Sequence, residues 1–129
     1  MKLKNAMFEL YGTVPSKKNS KRILKRGPKR FIGNSARYSE WEPYAVRCII
    51  SQNTMCKLSA IKCTSISIAI QYGDMRRRDL TNTAEGVMDA LVKALVIADD
   101  NWENTGPITL IPSYKKDEPK IIITITYVD

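Results

Sequence analysis

The chain has 129 residues, with 21 Lys plus Arg against 13 Asp plus Glu, three Cys and no His. The length suits one domain, and a hydrophobic share of 43% supports a core, which argues against wholesale disorder. The missing histidine excludes Ser-His-Asp and Cys-His catalysis, His-ligated zinc and imidazole acid–base chemistry. Any chemistry therefore falls to carboxylates, Lys, Arg, Tyr, Ser/Thr or Cys. Cys48, Cys56 and Cys63 form no C-x-x-C pair and read as small buried thiols in a reducing cytoplasm. No stretch approaches the roughly 18 apolar residues of a membrane span, and no signal-peptide apolar block opens the chain, so a cytoplasmic protein is expected.

Residues 6–11 are apolar enough for a first strand, which Gly12 and Pro15 end. From there to Ser39 no acid interrupts nine basic residues. Gly27, Pro28 and Gly33 break this run, which reads as a basic loop at about 12–38 with a short hairpin around Gly27-Pro28. Ser39 and Glu42 form a capping-box pattern with Pro43 in the first turn, and Trp41, Tyr44, Ala45, Cys48 and Ile49 continue as a helix to about Met55. Ile66, Ile68 and Ile70 alternate with Ser65, Ser67 and Ala69, a strand whose small-residue face a helix can approach closely. Asn82 and Glu85 repeat the capping-box pattern, and Ala84, Val87, Met88, Leu91 and Leu95 line a second helix to about Val96. Two strands follow at 108–114 and 120–127, joined by the turn Lys115-Lys116-Asp117-Glu118-Pro119. The reading is one α/β (α+β) domain over residues 1–129. It has a mixed sheet of about four strands and two main helices, in the order β-α-β-α-β-β.

Charge is unevenly placed. Residues 1–64 carry 14 basic and 3 acidic side chains, whereas residues 65–129 carry 7 basic and 10 acidic. A basic surface recruits polyanions, and clustered carboxylates recruit hard cations. Lys17, Lys18, Lys21 and Arg22, with Asn19 beside them, are candidate phosphate contacts. Phe31 and Tyr38 are candidates for base stacking, whereas Trp41 falls on the apolar helix face and reads as core. Arg76, Arg77 and Arg78, candidates to hold flanking phosphates, lead into Asp79 just before the second helix, and Asp99-Asp100 lie just beyond its end. That helix alone holds the two acid sets about four turns apart. They meet only if the chain folds back or a second copy supplies one set. As plain alternatives, Asp79 caps the helix and Asp99-Asp100-Asn101 makes a turn.

The run Arg77-Arg78-Asp79-Leu80-Thr81-Asn82, then Met88-Asp89-Ala90-Leu91, then Ala98-Asp99-Asp100, resembles the signature of the RusA family of Holliday junction resolvases. The segment Gly12-Thr13-Val14-Pro15-Ser16-Lys17-Lys18-Asn19-Ser20 resembles that family's entry loop, so the likeness spans nearly the whole chain. The resemblance implies a phage- or prophage-encoded, homodimeric endonuclease. Such an enzyme cuts four-way DNA junctions by paired symmetric nicks, with Mg²⁺, or Mn²⁺, held by aspartates. Asp79 and Asp100 match two of those aspartates. Thr81 stands where another is expected, and Glu85 where the family has a lysine. Glu85 either restores the lost carboxylate, giving Asp79, Glu85, Asp99 and Asp100 as ligands, or completes a cap with Asn82. In the second case the chain is a non-catalytic nucleic-acid-binding module on the same scaffold.

Overall fold

A computed structural model describes residues 2–16, 22–26, 29–33 and 36–129. Its strands are β1 (Leu3–Tyr11), β2 (Arg22–Arg26), β3 (Lys29–Gly33), β4 (Ser65–Tyr72), β5 (Ile108–Tyr114) and β6 (Lys120–Val128). Its helices are α1 (Ala36–Cys56), α2 (Leu80–Lys93) and the short α3 (Trp102–Thr105). The main sheet runs β1-β6-β4-β5, while β2 and β3 pair separately and antiparallel. This is the expected α+β domain, with the β2–β3 pair inserted before α1.

Strands β1 and β4 flank β6 antiparallel, and β4 pairs with β5 in parallel. Two neighbouring parallel strands need a crossover connection, which α2 and α3 supply. One sheet face is aliphatic, built from Phe8 and Leu10 of β1, Ile66, Ile68 and Ile70 of β4, and Ile121, Ile123 and Ile125 of β6. Tyr38, Trp41, Ala45 and Ile49 of α1 and Ala84, Val87, Met88 and Leu91 of α2 complete one core with it. The helices thus cover the isoleucine face of β4. The expected approach to Ser65, Ser67 and Ala69 is not made, because apolar area is gained on the other side. At Gly86 of α2 the packing is tight: a Cβ there would meet the Tyr38 ring of α1 and Val14 at 3.2 Å.

Both helix starts differ from the capping-box readings. Helix α1 begins at Ala36, which puts Ser39 and Glu42 inside it and Pro43 in its interior. Glu42 instead accepts from the Tyr38 hydroxyl at 2.6 Å and pairs with Lys93 of α2. Helix α2 begins at Leu80 with Asp79 as its N-cap, so Asn82 and Glu85 are helical residues. It ends at Lys93, and the left-handed Leu95 (φ 61°) is thrown outward rather than lining the apolar face. No helix among the described residues is long and apolar enough to cross a membrane.

Candidate functional site

Asp79 is held by the turn that it starts. Its Oδ1 accepts from the Thr81 amide at 3.0 Å, the Thr81 hydroxyl at 2.7 Å and the Asn82 amide at 3.3 Å. These bonds satisfy amide groups that a helix N-terminus otherwise leaves unpaired, and the negative charge suits the helix dipole. Asp79, Asn82 and Thr83 line a cleft of about 170 Å³ together with Val14, Ser16, Arg77 and Arg78. An adjoining cleft adds Thr13, Pro15, Arg37 and Arg76. The result is a cationic groove at the N-terminal end of α2, open to the start of the basic segment.

The three arginines do not play one role. Arg76 and Arg77 are exposed. Arg78 is partly buried, grips both carboxylate oxygens of Asp74, and lies over the Tyr72 ring at 5.6 Å from its centroid. The expected phosphate contact at Arg78 is therefore replaced by a structural one. The Arg78 guanidinium and the Arg76 amide hold the Asp74 carboxyl down to about 2.

Asp99 and Asp100 lie at the other end of α2. A parallel bridge between Ile61 and Ile97 fixes the chain just before them. Asp99 Oδ1 accepts from the Asp100 amide at 2.8 Å and Oδ2 from Asn101 Nδ2 at 3.2 Å, while Asn101 caps α3. This is the turn reading, realised. The same two aspartates share a cleft with Asp89, Val92 and Lys93. Burial, with Asp99 and Asp89 nearby, pushes the Asp100 carboxyl up.

Glu85 and Asp89 are half-buried, one helical turn apart on α2. Both act on Tyr38: its hydroxyl is pushed up first by burial, then by the bond to Glu42, with Asp89 and Glu85 adding to the effect. Tyr38 is 1% exposed, so it is a core residue and not a base-stacking one. Trp41 is core as expected.

Within the chain, Asp79 and Asp99-Asp100 line different clefts, since α2 spans about 21 Å between them. Among the described residues, no three His, Cys, Asp or Glu side chains gather around one cation position. Lys17, Lys18, Asn19 and Lys21 lie outside the described residues, and Arg22 opens β2. The structure adds Thr13, Ser16 and Arg37 to the cationic groove, and Asp89 to the acidic cleft. Arg37 was legible in the acid-free run, Thr13 and Ser16 in the entry segment and Asp89 in the second motif, but their gathering into these clefts needed the packing of α2 against its neighbours.

No protein-family model matches the chain, and no curated protein matches it. The site therefore rests on its own geometry.

Proposed function

We propose that the chain is a Mg²⁺-dependent, structure-specific endonuclease that resolves four-way DNA junctions as a homodimer, in the manner of the RusA family that its motifs resemble. The observation that carries this reading is the polarity of α2: a cationic groove at one end and a carboxylate cleft at the other. The groove suits phosphate, which Arg37, Arg76 and Arg77 would hold by charge and Ser16 by a hydroxyl donor. The carboxylate cleft, lined by Asp89, Asp99 and Asp100, would attract a hard cation by its charge, although the described residues of one chain do not gather three ligands around it. Mg²⁺, or Mn²⁺, would supply charge neutralisation and an activated water.

Asp79 and Asp100 lie too far apart to serve one cation in a single protomer. The reading therefore places the N-terminal end of one α2 against the C-terminal end of the other across a two-fold axis. Opposite charge at the two ends favours that pairing, and two symmetric nicks need two symmetric sites.

The second reading is a non-catalytic nucleic-acid-binding module. The observation that favours it is Asp79, whose carboxylate already serves the helix cap and the Thr81 hydroxyl.

A nicking assay on a synthetic four-way junction separates the two. Asn caps a helix about as well as Asp, so Asp79→Asn is expected to keep the fold and lose nicking, as is Asp100→Asn. Mixing the two inactive variants should restore part of the activity, since each mixed dimer holds one intact site. A wild-type chain that binds junctions without nicking them, at any Mg²⁺ or Mn²⁺ concentration, establishes the module instead.

A further inference from the structure

We propose that Met75 is an apolar wedge that enters an unstacked base step at a DNA branch point, held outward by a loop that Asp74 and Arg78 clamp shut. The proposal rests on the branched-DNA reading above and names the feature of that DNA which the loop engages.

The loop between β4 and α2 is anchored at both ends. At its start, Tyr72 O accepts from the Lys115 amide at 3.0 Å and Gly73 O from the Asp117 amide at 2.9 Å. Gly73 packs so closely that a Cβ would meet Pro119 Cδ at 2.6 Å. At its end, Asp79 caps α2. Between them Asp74 accepts from the Arg76 amide at 3.0 Å and from both terminal nitrogens of Arg78. The bidentate pair closes the span from Asp74 to Arg78, and the intervening side chains face solvent. Met75 is 78% exposed, beside exposed Arg76 and Arg77.

A buried Met side chain is worth about 1.5–3 kcal/mol, which this ordered loop forgoes. Other exposed apolar side chains lie elsewhere. Met55 is at the end of α1, and Leu95 and Trp102 flank the Asp99-Asp100 turn beyond the C-terminal end of α2, away from the arginines of their own chain. Met75 alone among these adjoins the arginines of the cationic groove. Proteins that kink DNA insert such side chains, Met included, between base steps while adjacent cations hold the phosphates. Unstacking costs a few kcal/mol per step in continuous duplex and less where stacking is already interrupted. A wedge therefore favours a branch point over linear duplex.

The test uses the full-length chain with a four-way junction carrying 2-aminopurine at the branch, and with a linear duplex of matching sequence. The wild type is expected to raise 2-aminopurine fluorescence at the branch severalfold and to bind the junction at least tenfold tighter than the duplex. Met75→Ser should keep duplex affinity and its salt slope but lose the fluorescence rise and the preference, and Met75→Leu should retain both. Fluorescence rise and preference unchanged in Met75→Ser overturn the wedge while leaving the DNA reading intact. Junction binding by the wild type with no fluorescence rise does the same. A wild type that binds neither DNA overturns the DNA reading and the wedge together.

Discussion

The Thr81 hydroxyl donates to Asp79 Oδ1 at 2.7 Å, so the two positions that the RusA-type motif would fill with aspartates are in direct contact. Proximity of this kind is what two carboxylates sharing one cation require, and Thr81 turns it into a hydroxyl–carboxylate hydrogen bond. Thr81→Asp would set two negative charges about 3 Å apart, where both resist ionisation. At neutral pH without divalent cations, the variant's thermal midpoint should fall by about 4 °C or more. Millimolar Mg²⁺ should recover the loss in a melting experiment. A midpoint indifferent to Mg²⁺ would mean that the pair cannot hold a cation even with both carboxylates present.

Salt dependence of junction binding should distinguish the three arginines. Each phosphate contact contributes about 0.9 to the slope of log affinity against log salt on duplex DNA. Arg76→Ala and Arg77→Ala should each lower the slope by about one. Arg78→Ala should change it little and lower the melting temperature instead, because Arg78 is committed to Asp74 and Tyr72. Replacing Lys17, Lys18 and Lys21 together by Glu should lower the slope by about three or more. Equal slopes in wild type and variants would show that these side chains point away from DNA.

The Asp74–Arg78 pair also predicts a pH response. Its carboxyl titrates at about 2 in the fold, below the roughly 3.9 of an unperturbed aspartate. A depressed carboxyl contributes stability above its unfolded value and loses that contribution as pH falls toward the folded value. Between about pH 4 and pH 2 the wild type should therefore lose more stability than Asp74→Asn. Parallel denaturation curves for the two proteins across that window would contradict the clamp.

Among the described glycines, Gly106 is the least tolerant of a side chain. Its backbone (φ 64°, ψ −163°) lies in a region that only glycine occupies comfortably, and a Cβ there would meet the Thr64 carbonyl oxygen at 2.1 Å. The obstacle is backbone and cannot swing aside. Gly106→Ala should cost about 2–4 kcal/mol of unfolding free energy, from strain and overpacking together. Urea denaturation measures it, and a cost under about 1 kcal/mol would refute this account of the α3–β5 join.

Local pattern and tertiary contact divided the work of specifying this protein. Alternating isoleucines in β4 and the apolar spacing of α2 made those elements legible, as did the turn signals at residues 115–119. Each depends on backbone geometry within a few residues. The acid-free basic run and the separation of Asp79 from Asp99-Asp100 were equally legible, because charge and helix rise are local quantities. Tertiary contact decided the rest. The Ser39–Glu42 pattern failed as a cap because Tyr38 and, 51 residues away, Lys93 recruit Glu42 instead. Tyr38 lost its prospective contact with bases because Gly86 on α2 lets the helices close over it. Arg78 left the phosphate-binding set when Tyr72 and Asp74 claimed it, and the two acid sets stayed in separate clefts. The Tyr38–Glu42 and Asp74–Arg78 pairs span only four residues, but the Lys93–Glu42 pair and the closure of α2 over Tyr38 join side chains remote in sequence, which no local period encodes.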